Sequence, residues 1–307
     1  MHIPFERTIS GGYSFGFTRI LSVIGIAWFP MVLMVGITGG LLYLLMPAFM
    51  DFLHNLPQPG QQPDPMRLAG LFRAMALLYG AIVPAFFILS AMMRIGVMRK
   101  ALGLMKGPTF IFFSLGGQVW RLLGAYLMIG IGIAVYYFVS VVLCGIVFAI
   151  LLAAASKVIA GVAMGIVGVA LFCLGVYLFL RISFFLPAAI VGEDLFGFGR
   201  SWELSSGNFW RIFGVLLIVY LPIYFVVGIL NQTFLSATLL PQIMQHAGQH
   251  PTPAEAQAMV REVMGTFVRF VPYFVGVYVV QTILLLGIDA GAVATAYRAV
   301  TGTESKA

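Results

Sequence analysis

Six long apolar segments constrain this chain more than any other feature of its sequence. They cover approximately residues 20–46, 70–95, 122–152, 158–180, 210–234 and 271–297. Each is long enough for a helix to cross the hydrocarbon core of a bilayer, which requires about 20 residues. Hydrophobic residues make up 61% of the chain and charged residues 9%, whereas about 25% of a soluble domain is charged. The sequence therefore excludes a water-soluble enzyme and a disordered chain, and it predicts an all-α, polytopic integral membrane protein.

The order of the segments predicts three helical hairpins in one transmembrane domain, residues 1–307. The hairpins cover about residues 12–103, 104–192 and 193–302. Similar sequences open the third and fifth spans, and similar loops lie in the first and third hairpins, which suggests a duplicated or triplicated hairpin. Chance or shared topology is the alternative explanation. A short Gly/Ser/aromatic segment precedes the first helix of each hairpin and predicts an interfacial helix on the cytoplasmic side; these segments are 12–17, 110–117 and 204–209.

The distribution of basic residues predicts that both termini are cytoplasmic. Twelve of the 17 Lys and Arg residues fall on the side of the termini, and cytoplasmic loops carry the excess of Lys and Arg. The net charge of +7 is therefore attributed to orientation and not to nucleic-acid binding. Aromatic and basic residues at this side are expected to contact lipid headgroups; they are Arg19, Trp120, Arg121, Trp210 and Arg211.

The longest connection, residues 231–270, is predicted to lie outside the cytoplasm and to contain a surface helix. Thr252 and Glu255 have the spacing of a capping box, and Pro253 stands at the first helical position. An apolar stripe continues from there toward Pro272. We expect a helix on the bilayer or the bundle that breaks near Pro272.

Asp289 is the acidic residue that lies most clearly inside an apolar run. A carboxylate near the bilayer centre costs about 2.5–3.5 kcal/mol on insertion scales, so it is expected to face protein or trapped water. Arg181, which interrupts another apolar run, is the first candidate partner, and Arg94 is the second. The pair has two interpretations: a structural ion pair that fixes helix register, or a polar group in a proton, cation or substrate pathway.

Other polar residues give weaker indications of chemistry. Glu193 and Asp194 form an acidic loop on the cytoplasmic side, where pairing with arginine is favoured over catalysis. His246 and His250 have a spacing found in zinc sites, but no carboxylate or Cys nearby completes a ligand set. The sequence contains no phosphate loop and no cofactor fingerprint. We therefore predict no catalytic residue, no metal site and no cofactor.

Segments 181–193 and 200–211 resemble the membrane domain found in some bacterial glycerophosphodiester phosphodiesterases and in related stand-alone proteins. The pattern is Arg181, then Pro187 and Glu193, then a Ser ahead of the sequence Gly-Asn-Phe-Trp that ends at Trp210. The resemblance implies a location in the bacterial inner membrane. It does not imply phosphodiesterase activity, because in the fused proteins the hydrolase is a separate soluble barrel for which this chain has no room.

Two functions are compatible with these features. The first is a non-enzymatic membrane protein that interacts with lipid or with a partner, which could be another protein or a second copy of the chain. The second is a small secondary carrier that uses the intramembrane carboxylate of Asp289. A cavity around Asp289 that is open to one side favours the carrier, whereas a dry contact with Arg181 favours a scaffold.

Overall fold

The computed structural model describes residues 2–54, 65–107, 110–154, 157–245 and 253–303. Within these ranges the secondary structure is helical, with no strand, and a π-helical turn at Leu235–Leu239 follows α8. The helices are α1 Phe5–Thr18, α2 Ile20–His54, α3 Pro65–Ala101, α4 Gly117–Ala154, α5 Lys157–Ser183, α6 Leu186–Glu193, α7 Phe198–Ser205, α8 Phe209–Phe234, α9 Leu240–Gln245 and α10 Pro253–Thr301.

Six stretches of the described residues are long and apolar enough to cross a membrane, which confirms the prediction of an all-α, polytopic membrane protein. They are Ile20–Pro47, Phe72–Ala101, Gly117–Ala153, Lys157–Glu193, Phe209–Thr238 and Val268–Thr301. Pro30, Pro84 and Pro222 lie inside these helices without ending them. Transmembrane helices tolerate such prolines because neighbouring groups satisfy the backbone carbonyls that lose their donors.

The fourth stretch is interrupted near one end. Helix α5 ends at Ser183, and α6 begins at Leu186 with Pro187 in its first turn. A proline is favoured at this position because the first amide groups of a helix have no intrahelical acceptor. The aromatic ring of Phe185, between the two helices, is completely buried, so protein packing fixes the break.

The helices form a ring. Each helix of the ring contacts the next in the order α3, α4, α5, α8 and α10, and α10 contacts α3. Helix α2 packs outside this ring against α3 and α10, and α1 packs against α10 and α8. Helix α6 contacts α3, α4 and α10, and its residues from Leu186 to Val191 are buried, so it closes one end of the ring.

The core is concentrated at the end of the bundle where α1 begins and α10 ends, which we call the termini end. Arg211 donates a hydrogen bond to the carbonyl of Ile3 (3.1 Å), and Arg298 donates one to the carbonyl of Ala101 (2.7 Å). Completely buried residues, among them Ile95 and Leu122, cluster at the termini end. The opposite halves of α4 and α5 expose apolar side chains. Such an exposed apolar surface fits contact with lipid chains, which are as apolar as leucine.

Helix α1 contains the helix predicted at 12–17 and begins earlier, at Phe5. One of its faces packs against α10 and α8, and the other face is exposed. Its glycines face the glycines of α10, and a Cβ atom on Gly12 would come within 2.9 Å of the Ile288 carbonyl. Residues 111–116 have no helical structure, so the predicted helix at 110–117 was wrong. At 204–209 the chain instead leaves α7 after Ser205 and begins α8 at Phe209.

The predicted break near Pro272 was also wrong. Helix α10 runs without interruption from Pro253 to Thr301, with Pro272 inside it. The predicted surface helix is therefore the first part of the same helix that forms the sixth span. Residues 246–252 of the predicted external connection lie outside the described residues.

Candidate functional site

Asp289 forms its ion pair with Arg94 and not with Arg181. The Nη1 atom of Arg94 lies 3.6 Å from Oδ2 of Asp289. The side chain of Asp289 is 16% exposed and that of Arg94 is 40% exposed. The first candidate partner was therefore wrong, and the second is the residue that the structure brings to Asp289.

Local packing explains why these two side chains meet. On α3, the neighbours of Arg94 at positions 91–93 and 95 are buried in the core. On α10, Ile288 and Ala290 on either side of Asp289 are also buried. Because α3 and α10 are in contact, a polar side chain on the facing surface of each finds its opposite charge there.

The ion pair lies in the wall of a central cavity. This cavity has a volume of about 810 Å³ and is lined by residues of α3, α4, α5, α6, α8 and α10. Its size is within the range of about 300–1,000 Å³ typical of small-molecule sites. Most of the lining is apolar, and its uncharged polar side chains are Ser90, Tyr126, Ser183, Tyr220, Tyr224, Tyr278 and Thr282.

Two of the cavity tyrosines lie at the ion pair. The guanidinium carbon of Arg94 lies 5.9 Å from the centroid of the Tyr126 ring, within the range of a cation–π contact. Tyr220 interacts with the carboxylate of Asp289 from α8. The charges are therefore held by groups from four helices, α3, α4, α8 and α10, so the pair joins one side of the ring to the other.

The cavity is open on one side. At its termini end the floor includes Phe184 and Pro187, beside the buried residues of α6. On the other side, Leu221 and Tyr224 line the cavity and are more than half exposed. The walls therefore open toward the half of the bundle in which apolar side chains are exposed.

Arg181 belongs to a different buried cluster. Its guanidinium stacks on the ring of Trp202, with 3.7 Å between the guanidinium carbon and the ring centroid. It donates hydrogen bonds to the hydroxyl of Tyr177 (2.8 Å) and the carbonyl of Trp202 (3.1 Å). The carbonyl of Arg181 in turn accepts hydrogen bonds from Ser201 and Ser205. Arg181 thus joins α5 to α7 and acts in packing.

The acidic loop is held by arginines, as the sequence interpretation favoured. Glu193 accepts hydrogen bonds from Arg200 (2.9 Å) and from the hydroxyl of Tyr297 (2.7 Å). Asp194 pairs with Arg121. The hydrogen bond to Glu193 raises the pKa of Arg200 above its ordinary value. The two carboxylates therefore connect the end of α6 to α7, α10 and α4 at the termini end of the bundle.

The residues predicted at the lipid headgroups have mixed environments. Arg19, Trp120 and Trp210 are exposed, which is compatible with a membrane interface. Arg121 is half-buried and pairs with Asp194. Arg211 is exposed but also donates a hydrogen bond to the carbonyl of Ile3. Among the described residues no group of three or more His, Cys, Asp or Glu could hold a metal ion, and His246 and His250 lie outside the described residues.

Sequence reasoning did not identify the hydroxyl residues of the cavity. Ser90, Tyr126, Tyr220 and Thr282 lie in four different spans, and the sequence alone does not show that they share one wall. Their position inside apolar runs could have indicated that they line a cavity or meet a partner, because a polar group in a span requires a partner or water. The cavity depends on the rotation of each helix, which the nearly uniform apolar composition of the spans does not encode.

Six spans, five of which surround a cavity with a charged wall, define the class: a polytopic α-helical membrane protein with a ligand-sized cavity inside the bundle. No protein-family model, curated protein or solved structure matches the chain.

Proposed function

We propose that this protein binds an amphiphilic molecule in its central cavity, as a non-enzymatic component of the bacterial inner membrane. The observation that carries the proposal is the Arg94–Asp289 pair in the wall of an otherwise mostly apolar cavity. Ligand sites typically combine apolar walls with a few polar groups that fix orientation. An apolar chain matches the walls, and a polar head matches the ion pair.

The opening of the cavity supports access from the bilayer. Its exposed wall residues, Leu221 and Tyr224, are continuous with the apolar outer surface of the spans. A molecule already dissolved in the membrane therefore reaches the cavity without crossing an aqueous barrier. The hydroxyl and charged groups of the cavity can form hydrogen bonds with the polar head of such a molecule, which the surrounding lipid chains cannot do.

A second candidate is a small carrier that moves such a molecule. It is favoured by the position of Asp289 in a cavity that is open to one side, where a scaffold would bury it in a dry contact. A carrier additionally requires a state that opens through the termini end, so binding and movement are tested separately.

The location and the family are part of the proposal. Twelve basic residues on the side of the termini support a cytoplasmic location for both ends. Kinship with the membrane domain of glycerophosphodiester phosphodiesterases is supported by the two resembling segments, which are packed together through Arg181, Ser201 and Ser205. The apolar surface fits a partner helix or a second copy as well as lipid.

Photocrosslinking tests whether the cavity binds an amphiphile. The purified full chain, reconstituted in vesicles, is irradiated with a single-chain amphiphile that carries a diazirine on its chain. Crosslinked peptides are expected to contain the cavity residues Phe179, Leu216 and Thr282. Ser90→Phe, which places a ring in the cavity wall, is expected to reduce these crosslinks severalfold.

Val139→Phe is the matched control, because Val139 is on α4 outside the cavity lining and 46% exposed. It should leave the cavity crosslinks unchanged. Uniform crosslinking along the lipid-facing helices, with no effect of Ser90→Phe on the cavity peptides, would overturn the proposal.

A further inference from the structure

The charges in the cavity wall are matched in number but unequal in exposure. Among the described lining residues there is one cation, Arg94, and one anion, Asp289. The N–O distance of 3.6 Å exceeds the ~2.7–2.9 Å of a well-formed charge-assisted hydrogen bond. The pair is therefore loose, and Arg94, whose side chain is the more exposed of the two, retains donors for a ligand.

The guanidinium is the group that receives an anion. It has five N–H donors, and the contact with Asp289 is made through Nη1. Carboxylate and phosphate groups accept two parallel hydrogen bonds from a guanidinium. Tyr126 lies 5.9 Å from the guanidinium carbon, measured to its ring centroid, and is hydrogen-bonded to Arg94. With five donors, the guanidinium keeps further N–H groups for a ligand.

Charge balance limits the kind of head that fits. A head with only an anion would give the pair and ligand together a net negative charge, and an isolated charge is costly in a low-dielectric site. A head with both an anion and an ammonium keeps the total at zero. The ammonium then faces the partly accessible carboxylate of Asp289 and the aromatic rings of Tyr220 and Tyr224, which attract cations.

Resting on the proposed function, we infer that the ligand is a zwitterionic amphiphile, whose phosphate or carboxylate binds Arg94 and whose ammonium binds beside Asp289. The apolar walls require the chain as well as the head. The same head chemistry occurs in water-soluble zwitterions, and a competition series separates the two sources.

The experiment uses the full chain in vesicles of a neutral, non-zwitterionic lipid, with the photocrosslinker described above. Unlabelled competitors share one acyl chain and differ in the head: glycerophosphoethanolamine, glycerophosphate, uncharged glycerol and a primary amine. Because hydrogen bonds to charged groups contribute about 1.5–3 kcal/mol, the zwitterion is expected to compete about tenfold or more better than the other three. Glycerophosphoethanolamine without a chain is the soluble arm.

A double variant identifies the groups responsible. Arg94→Gln with Asp289→Asn replaces both charged side chains by neutral amides, so it leaves no unpaired charge at the site. It is expected to bind the uncharged competitor as before and to lose the tenfold preference for the zwitterion. Arg73→Gln, an exposed arginine on the same helix, is the control and should keep the preference.

The outcomes separate the two proposals. Crosslinks in the cavity with equal competition by all heads, or stronger competition by the anion, would overturn the zwitterion inference and leave amphiphile binding in place. Competition by the soluble head alone at the same concentration would overturn the requirement for an amphiphile. Loss of the preference in Arg73→Gln as well would show that Arg94 and Asp289 do not cause it.

Discussion

At the scale of single residues, Arg94 and Asp289 should stabilise the fold as a pair, because each charge requires the other as its partner. Removing one partner leaves the other charge in a low-dielectric site, which costs ~3–5 kcal/mol for a fully buried pair. Because Arg94 is 40% exposed, solvent screens part of this cost, and we expect about 1–2 kcal/mol for Asp289→Asn or Arg94→Gln. The double variant should recover part of the loss, as measured by thermal unfolding in detergent.

Arg181 supplies the control for this coupling. It contacts Tyr177, Trp202 and Ser205, and none of these belongs to the ion pair. Arg181→Gln combined with Asp289→Asn should therefore show additive losses of stability. Coupling between positions 181 and 289, with additivity between 94 and 289, would contradict the pairing that the structure shows.

These residues show what the sequence could and could not predict about the site. Asp289 could be identified because a carboxylate inside an apolar run requires a partner. Its partner could not be chosen, because Arg94 and Arg181 both interrupt apolar runs, and the choice depends on which helices are neighbours. Arg181 is satisfied by an aromatic ring, hydroxyls and a carbonyl, so an arginine in an apolar run does not by itself indicate an acidic partner.

At the scale of elements, the contact between α1 and α10 depends on glycine. A Cβ on Gly12 would lie 2.9 Å from the Ile288 carbonyl and 3.0 Å from Cβ of Ala292. Gly12→Ala should therefore force the helices apart and destabilise the protein by about 1–3 kcal/mol, as overpacked contacts do. Thermal unfolding and protease cleavage of the N-terminal helix measure the effect.

Gly36 on α2 is the matched control, since a Cβ there would meet nothing within 4 Å. Gly36→Ala should be neutral or slightly stabilising, because alanine has the higher helix propensity. Equal stability of the two variants would mean that α1 is not packed closely on α10.

Element boundaries were predicted unevenly for identifiable reasons. The six spans follow from hydropathy, which measures transfer from water and does not depend on the neighbours. The predicted interfacial helices and the predicted break at Pro272 depended on neighbours. The glycines of α1 allow close approach to Gly287 and Gly291, a contact that the segment's own sequence does not show. Pro272 lies inside one long helix, as prolines in membrane spans can.

At the scale of the whole molecule, the positive-inside rule predicts the orientation. Reporter fusions after Gly60 and after Gly248 should report the external compartment, and a fusion at the C-terminus should report the cytoplasm. Moving two basic residues from the termini side to the loop near Gly60 should lower the fraction of chains in this orientation. A cytoplasmic signal at either loop in the unmodified chain would refute the topology.

The shape of the cavity predicts that the protein holds its ligand and does not move it across the membrane. The cavity opens beside Leu221 and Tyr224, whereas buried residues of α6 and completely buried Leu122 and Ile212 fill the termini end. A path to that side would require these close-packed side chains to separate, at the cost of their apolar burial.

Vesicles with the protein should therefore translocate a fluorescent zwitterionic amphiphile as slowly as protein-free vesicles. Quenching of the fluorescence in the outer leaflet measures the rate of translocation. Faster translocation that disappears in the Arg94→Gln/Asp289→Asn variant and persists in Arg73→Gln would favour the carrier instead, because it would show that the same ion pair serves a state in which the termini end opens.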